Sequence, residues 1–362
     1  NITLESQVNS GVASLASTVG LTQTIVGAII NRPTSPFVAD LATDPGASPC
    51  GPGAWVRITG GQADVDGAFS DIIRGSGGST PVSLSYAGFQ VGGDFACFDD
   101  RYRGFDMAFG AILGYNTGDS TNLVRTLNPV TGEATGPVGS ITDTDFSQAY
   151  AGVYATASRG RFFADLQYRY EVIDFESNNI EIIPDAGFDL NNANYESKGS
   201  TLSGAVGYSW PVDGVDGLNF VGSVGFSYSD YKTDDVDLGI DGMLELADGQ
   251  TKLGFISGTL SRTRVQPDEV SLINYFSTAT LYNDFAGDPI ATFVDSGAGR
   301  NDIALSNLGS YGELSAGVNY VRLLNPGSDG APRQLNASIR LDARKGQNVE
   351  SWGLTGQLRI QF

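Results

Sequence analysis

Apolar and polar residues alternate through the last twelve positions of the chain, and this pattern constrains the fold more than any other feature. Large apolar side chains occupy only even-numbered positions, two or four residues apart: Trp352, Leu354, Leu358, Ile360 and Phe362. Successive side chains leave opposite faces of a β-strand, so the pattern predicts a strand with one apolar face. Its length and its terminal aromatic residue are typical of a strand that spans a membrane. A soluble edge strand could show the pattern once, so a membrane barrel is indicated only if the pattern repeats along the chain.

The chain repeats the pattern in twelve segments. They lie near 54–64, 83–97, 104–116, 145–157, 161–174, 199–211, 218–230, 251–264, 274–285, 310–322, 334–345 and 351–362. The segment 251–264 alternates poorly, and we expect a β-bulge there. Alternation alone fits a soluble sandwich with an apolar core as well as a barrel whose apolar face meets lipid.

The connections between the segments favour the barrel. Connections after odd-numbered segments are mostly long, about 18 to 28 residues, whereas those after even-numbered segments are short. Loops this long are unusual inside compact soluble domains. Regular exchange of long loops and short turns is typical of bacterial outer-membrane barrels.

A single helix is predicted before the first strand, over residues 3–31. Its apolar residues recur mostly every three or four positions: Leu4, Val8, Val12, Leu15, Val19, Val26 and Ile29. The remaining positions are largely Ser, Thr and Gln, and Pro33 and Pro36 end the helix. A signal peptide would need a basic start, and the polar positions disfavour a lipid-facing helix. A helix enclosed by a polar tube fits best.

Barrel width agrees with that interpretation. About eight strands enclose only side chains, and sixteen or more leave an open channel. Twelve strands should leave a bore close to one helix diameter, roughly 10–12 Å. The sequence therefore predicts an all-β membrane protein: a 12-stranded antiparallel transmembrane β-barrel with an N-terminal α-helix inside the pore. Residues 1–49 would form the pore-threading helix and linker, and residues 50–362 the barrel.

Composition excludes several functions. The chain has no His, which removes Ser-His-Asp catalysis, Cys-His catalysis and His-ligated metal sites. Its 21 Lys and Arg against 41 Asp and Glu argue against binding nucleic acid, whose phosphates need a basic surface. We expect no enzyme, no catalytic residue, no metal and no cofactor.

Two groups of residues are candidates for a site. The charged positions predicted to line the pore are Arg57, Asp94, Asp106, Asp165, Arg169, Glu171, Arg340, Asp342, Arg344 and Arg359. They could guide a translocating chain or simply be paired, solvated wall residues. If the first hairpin is centred near residue 73, Cys50 and Cys97 face each other, and a disulfide is expected in an oxidising envelope. The alternative is two free thiols.

In their order and spacing, several short pieces of the chain resemble the translocator domain of a monomeric autotransporter, of type V secretion. They are Ile29-Ile30-Asn31-Arg32-Pro33, Ala54-Trp55-Val56-Arg57, Gly88-Phe89-Gln90-Val91-Gly92-Gly93-Asp94, Phe109-Gly110-Ala111-Ile112-Leu113-Gly114-Tyr115 and Gly356-Gln357-Leu358-Arg359-Ile360-Gln361-Phe362. The resemblance implies a bacterial outer-membrane location and a covalently linked upstream passenger that this domain anchors and secretes.

The same resemblance implies further partners. Leu358, Ile360 and Phe362 would form a signal for the barrel-assembly machinery. The barrel would be a monomer in contact with outer-membrane lipid and lipopolysaccharide. Two other functions stay open from the residues: a passive outer-membrane diffusion porin, and a soluble β-sandwich adhesin.

Overall fold

The computed structural model describes most of the chain. The described residues are 15–22, 25–26, 53–71, 77–126, 128, 135–183, 192–238, 242–246, 249–295, 299–305, 307–324 and 333–362. Residues 15–22 form a helix. Among these described residues, no helix has the length and apolar character needed to cross a membrane.

Twelve long strands follow the helix. They are β1 (Gly53–Asp71), β2 (Gly77–Tyr102), β3 (Phe105–Arg125), β4 (Val138–Arg159), β5 (Phe162–Glu181), β6 (Ala193–Pro211), β7 (Leu218–Thr233), β10 (Gly249–Val265), β11 (Ser271–Asp284), β14 (Ser310–Leu324), β15 (Arg333–Gly346) and β16 (Val349–Gln361). Four short strands lie between them: β8 (Val236–Asp237), β9 (Met243–Glu245), β12 (Ile290–Asp295) and β13 (Gly299–Leu305). Each of the twelve predicted segments falls on one long strand.

The long strands close into a barrel because β16 pairs with both β15 and β1. The closing register runs from Gly53 opposite Gln361 to Val65 opposite Val349, and all neighbours are antiparallel. We call the end of the barrel that carries Gly53, Phe362 and the turn at Arg103-Gly104 the turn end. The opposite end, with the connections 126–137, 234–248 and 285–309, is the loop end. The predicted 12-stranded antiparallel barrel is confirmed.

Side chains alternate between the bore and the outside as the sequence pattern requires. In β16, Leu354 and Ile360 are exposed on the outer surface, whereas Arg359 between them is only 5% exposed. The outer surface also carries aromatic side chains suited to membrane interfaces: Tyr115, Tyr168, Tyr170, Trp210, Phe226, Tyr228 and Trp352.

The strands on one side of the barrel are longer than predicted, and several loops are correspondingly shorter. A membrane crossing needs only about 9–11 residues, yet β2, β3 and β4 continue well beyond that length at the loop end. Their outward positions there are mostly polar and several are acidic, as at Asp119, which lies opposite Asp145. Outside the membrane both faces of a strand can be polar, so the two faces differ less from each other. The alternation of apolar and polar residues therefore stops before the strand ends.

The prediction of a β-bulge in segment 251–264 is wrong. The described register of β10 with β7 and with β11 is continuous. Irregular pairing occurs instead in β2, between Asp94 and Ala96 and between Phe98 and Tyr102, and at the end of β3, between Val124 and Arg125. Segment 251–264 alternates poorly because Gly254, Ser257 and Gly258 interrupt the apolar pattern without disturbing the pairing.

The four short strands extend the sheet past the barrel wall at the loop end. They continue it in the order β1-β13-β12-β9-β8. β16 begins at Val349, opposite Val65, so the part of β1 beyond Val65 has no pairing with β16. This part of β1 pairs with β13 instead, at Phe69–Asp71. Strands β8 and β9 come from the connection after β7, and β12 and β13 from the connection after β11. We call the described residues of 234–246 and 285–309 the cover.

Candidate functional site: the bore of the barrel

The loop-end half of the bore holds the helix in an apolar environment. Leu15, Ala16, Val19, Ile25 and Val26 are buried at 0–1% exposure. One continuous apolar cluster joins them to the barrel wall and the cover. Its wall members include Ala63, Val65, Val82, Leu84, Phe146, Ile173 and Phe175. Removal of this much apolar surface from water holds the helix in place.

The polar side of the helix is buried too. Ser17, Thr18 and Thr22 are 0–1% exposed. Asn122 of β3 donates a hydrogen bond from Nδ2 to the Thr18 hydroxyl at 2.8 Å, which attaches the helix to the wall. The described helix residues are therefore buried on their polar side as well as on their apolar side, apart from the half-buried Gly20.

The cover closes the loop end over the helix. Its side chains Leu244, Phe293, Ile303, Leu305 and Leu308 are buried in the same apolar cluster. A cavity of about 30 Å³ lies among helix, wall and cover, bounded by Val19 and Gly20 of the helix and by residues of the other two parts. That is room for one or two waters and for nothing larger.

The turn-end half has a different, charged lining, which begins with Arg169 and Glu171 of β5. Both side chains are at most 1% exposed, and Arg169 Nε lies 2.7 Å from Glu171 Oε1. The Thr201 hydroxyl donates to Glu171 at 2.5 Å, Tyr231 donates at 3.2 Å, and Gln148 also donates to this carboxylate. Many donors around one carboxylate offset the cost of burying its charge.

A second charged group lies on β14 and β15, nearer the loop end of these two strands, where Glu313 is directly opposite Arg344. Glu313 accepts a hydrogen bond from Arg340 and forms an ion pair with Arg344, whose Nε lies 2.7 Å from Oε2. Arg344 also reaches Asp342 at 2.9 Å. The Arg and acidic side chains of the bore balance in charge across these groups, so the net acidic charge of the chain resides elsewhere.

A third group spans the closing seam of the barrel. Arg359 of β16 donates to Asp94 of β2 at 2.7 Å, across the intervening strand β1. Tyr154 donates to the other Asp94 oxygen at 2.5 Å, and the Trp55 indole N–H donates to Tyr154 at 3.1 Å. Arg57 donates to Gln357 across the same seam. These contacts fasten the first and last strands together on the inside.

Glycines keep the wall open around these groups. A Cβ on Gly110 would lie 2.1 Å from Cζ of Tyr154, and a Cβ on Gly114 would lie 2.1 Å from Cζ of Tyr150. The two tyrosine rings therefore lie flat over glycines of the neighbouring strand and do not project across the bore. This arrangement leaves space for a helix while it still covers the backbone.

The structure places the sequence-predicted pore residues as follows. All ten are buried or half-buried in the barrel. Seven enter the groups above: Asp94, Arg169, Glu171, Arg340, Asp342, Arg344 and Arg359. Arg57 contacts the seam, and Asp106 and Asp165 lie nearer the turn end. Sequence reasoning missed Tyr154, Gln148, Thr201 and Tyr231; the alternate glycines at 110 and 114 were a possible signal for the aromatic residues.

The other predicted sites are only partly described. Of the pore-helix residues, Leu15, Val19 and Val26 are buried in the bore, whereas Leu4, Val8, Val12 and Ile29 lie outside the described residues. Cys97 is disulfide-bonded; Cys50, the other cysteine of the chain, lies outside the described residues. Leu358, Ile360 and Phe362 are exposed on the outer surface.

Comparison with known proteins identifies the family. The profile of the autotransporter beta-domain matches residues 54–322, well over half of the chain. The chain belongs to the autotransporter beta-domain family. No curated protein matches the chain.

Solved structures of such domains share the fold. The transport unit of the autotransporter AIDA-I from Escherichia coli is 14% identical, with a TM-score of 0.60 over 89% of this chain and 95% of that one. The beta domain of the Bordetella autotransporter BrkA is 15% identical, with a TM-score of 0.60 over 86% and 100%. The translocator domain of NalP from Neisseria meningitidis is 13% identical, with a TM-score of 0.54 over 90% and 92%.

Family and fold together give location and function. The chain is a translocator domain of the bacterial outer membrane that anchors an upstream passenger domain and mediates its secretion. Translocator domains of this family are transport barrels and not enzymes. A diffusion porin is the less supported function.

Proposed function

We propose that the helix within residues 1–49 plugs the bore of the barrel, residues 50–362, after a passenger has been exported through it. The observation that carries the proposal is the burial of nearly all described helix residues in the loop-end half of the bore. Around these residues, the described wall and cover leave a cavity of only about 30 Å³. The charged lining would be the guide for the exported chain, through the ten pore-lining residues.

We propose that the domain works as a monomer and without catalytic residues, metal or cofactor. Its exposed apolar and aromatic outer surface suits contact with outer-membrane lipid and lipopolysaccharide. Leu358, Ile360 and Phe362 alternate along the outer face of β16, so an assembly machinery could read them in one row before the barrel closes. Their exposure supports that role.

We propose that Cys97 is bonded to Cys50, which would tie the segment before β1 to the turn end of β2. The disulfide state of Cys97 and the presence of a single other cysteine support the pairing. Peptide mapping under non-reducing conditions should recover a peptide that contains both cysteines. Recovery of two free thiols would contradict it.

Export is tested by fusing a secreted reporter domain upstream of Asn1. The reporter should reach the cell surface, where external protease removes it from intact cells. The control is the same fusion with β16 deleted, which cannot close the barrel. A reporter retained in the periplasm beside a folded barrel, recognised by its heat-dependent gel mobility, would contradict the proposal.

The porin alternative makes a different prediction for the same chain. A porin conducts whether or not residues 1–31 are present, whereas a plugged translocator conducts strongly only without them. The apolar, closely packed loop-end half favours the plug, because a diffusion channel needs a continuous aqueous path.

A further inference from the structure

We propose that the helix is the template on which the cover folds, so that the loop end closes only when the helix occupies the bore. This goes beyond the plug, because the helix would then control a second closing element made from two loops. The contacts between the helix and the cover support the proposal.

The cover is weakly supported by its own strands. β8 has 2 residues and β9 has 3, and β12 and β13 have 6 and 7. Within the part of the chain that the structure describes, three register pairs, Phe69–Asp71 with Ile303–Leu305, attach β13 to the barrel wall. Small sheets need packing against another element for independent stability.

The inner face of the cover is apolar and has the helix as a neighbour. Leu244, Phe293, Ile303 and Leu305 are at most 6% exposed and share one cluster with the helix. Leu305 Cδ1 lies 3.6 Å from the position of a Cβ on Gly20. Without the helix, this face would meet water in an empty bore, and burial could no longer offset the entropy of ordering the loops.

The dependence of the cover on the helix sets the sequence of events during export. An extended chain in transit offers no continuous apolar helical face, so it gives the cover nothing to fold on and the loops stay open. Arrival of the helix supplies that face, the cover folds, and the outer mouth closes behind the exported passenger. Closure is then triggered by the chain itself and needs no separate signal.

The test is trypsin cleavage after Arg300 in the purified full-length protein. Arg300 is the only Lys or Arg within residues 234–248 and 285–309, so this cut reports opening of the cover. It lies in β13 and pairs with Glu245 of β9, which holds it in the closed sheet. The cleavage rate follows the population of the open form when reclosing is fast.

Two variants of the helix should change this rate in opposite directions. Val19→Asp buries a carboxylate in the apolar cluster and should accelerate the cut about tenfold or more. Gly20→Ala favours the helix, and the 3.6 Å to Leu305 leaves room for the methyl group, so the cut should slow roughly fivefold. Leu314→Ala, on the lipid face of β14, is the control and should leave the cleavage rate unchanged.

Barrel integrity is checked in each variant by heat-dependent gel mobility. Equal cleavage rates in Val19→Asp, Gly20→Ala and the wild type would overturn the inference. If Val19→Asp does not fold, the comparison of Gly20→Ala with Leu314→Ala and with the wild type decides. Because the assay uses no passenger, its failure leaves the export test unaffected, and failure of export leaves this measurement interpretable.

Discussion

The two halves of the bore are built on opposite physical principles. At the loop end, a helix and a cover of four short strands are packed in one apolar cluster. Toward the turn end, charged side chains are buried in pairs, as with Arg169 and Glu171 or Arg359 and Asp94. Apolar contact is non-directional and tolerates assembly from separate loops, whereas buried ion pairs require fixed geometry.

Because the two halves are built differently, they suit different functions. The loop-end half is formed by parts that come from distant points of the chain and can separate, so it suits closing. The charged side chains described toward the turn end belong to strands of the barrel wall and stay when the helix leaves, so they suit a permanent polar passage. Changes in the first half should alter helix seating, and changes in the second should alter the stability of the barrel.

The largest effect is expected for Arg169→Ala. Removal of the guanidinium leaves Glu171 buried without its cation and should lower the free energy of unfolding by about 3–5 kcal/mol. The double variant Arg169→Leu with Glu171→Leu should lose far less, because no uncompensated charge remains. Denaturant titration of the detergent-solubilised barrel measures both. A double variant that loses as much stability as Arg169→Ala would show that the unpaired charge of Glu171 is not the cause of the loss.

A somewhat smaller effect, in the other half, is expected for Leu15→Ala. This buried side chain belongs to the helix, and its truncation should weaken helix seating by about 2–5 kcal/mol. Hydrogen exchange of the amides of residues 16–22 should accelerate accordingly, with the strand amides unchanged. Leu314→Ala, on the lipid face, is the matched control and should leave helix exchange as it is. Strand exchange that rises equally would break the division into halves.

Gly110→Ala tests the wall of the turn-end half. A methyl group there would meet Tyr154 and push its ring away from Asp94 and Trp55, for a loss of about 1–3 kcal/mol. Gly312→Ala is the control, since its nearest neighbour, Leu281, would lie 3.7 Å from the new Cβ. Unfolding midpoints that fall equally in both variants would contradict the role of the ring over the glycine.

The smallest effect is expected at Asp268, in the turn between β10 and β11 and outside both halves. Hydrogen bonds from the Ser271 hydroxyl and from backbone N–H groups lower the pKa of Asp268. A lowered pKa in the folded state means that the stabilisation is present above the unfolded pKa and disappears as pH falls through the folded value. Asp268→Asn should remove that pH dependence from thermal unfolding below about pH 4. A pH dependence as large as that of the wild type would refute the assignment.

Sequence patterns predict the barrel well because membrane strands must alternate. Arg359 between Leu358 and Ile360 could be placed on the bore side from the chain alone. The cover could not be predicted, since strands such as Val236–Asp237 and Met243–Glu245 are too short to show a period. Strand ends were missed for a related reason: above the membrane, outward Asp119 and Asp145 no longer contrast with a polar bore.

The site was only half predictable. Alternation identified which charged side chains face inward, and Arg169 with Glu171 are neighbours on one face of a strand. Asp94 with Arg359 are separated by 265 positions, and only the closing register brings them together. Tyr154 was not expected in the group because its position depends on Gly110 of the neighbouring strand.

Single-channel conductance in planar bilayers tests the central claim, that helix and cover seal the loop-end half of the bore. The full chain should show low conductance, and deletion of residues 1–31 should open a large, stable channel in an otherwise folded barrel. Equal, high conductance in both forms would contradict the seal and would favour a diffusion porin.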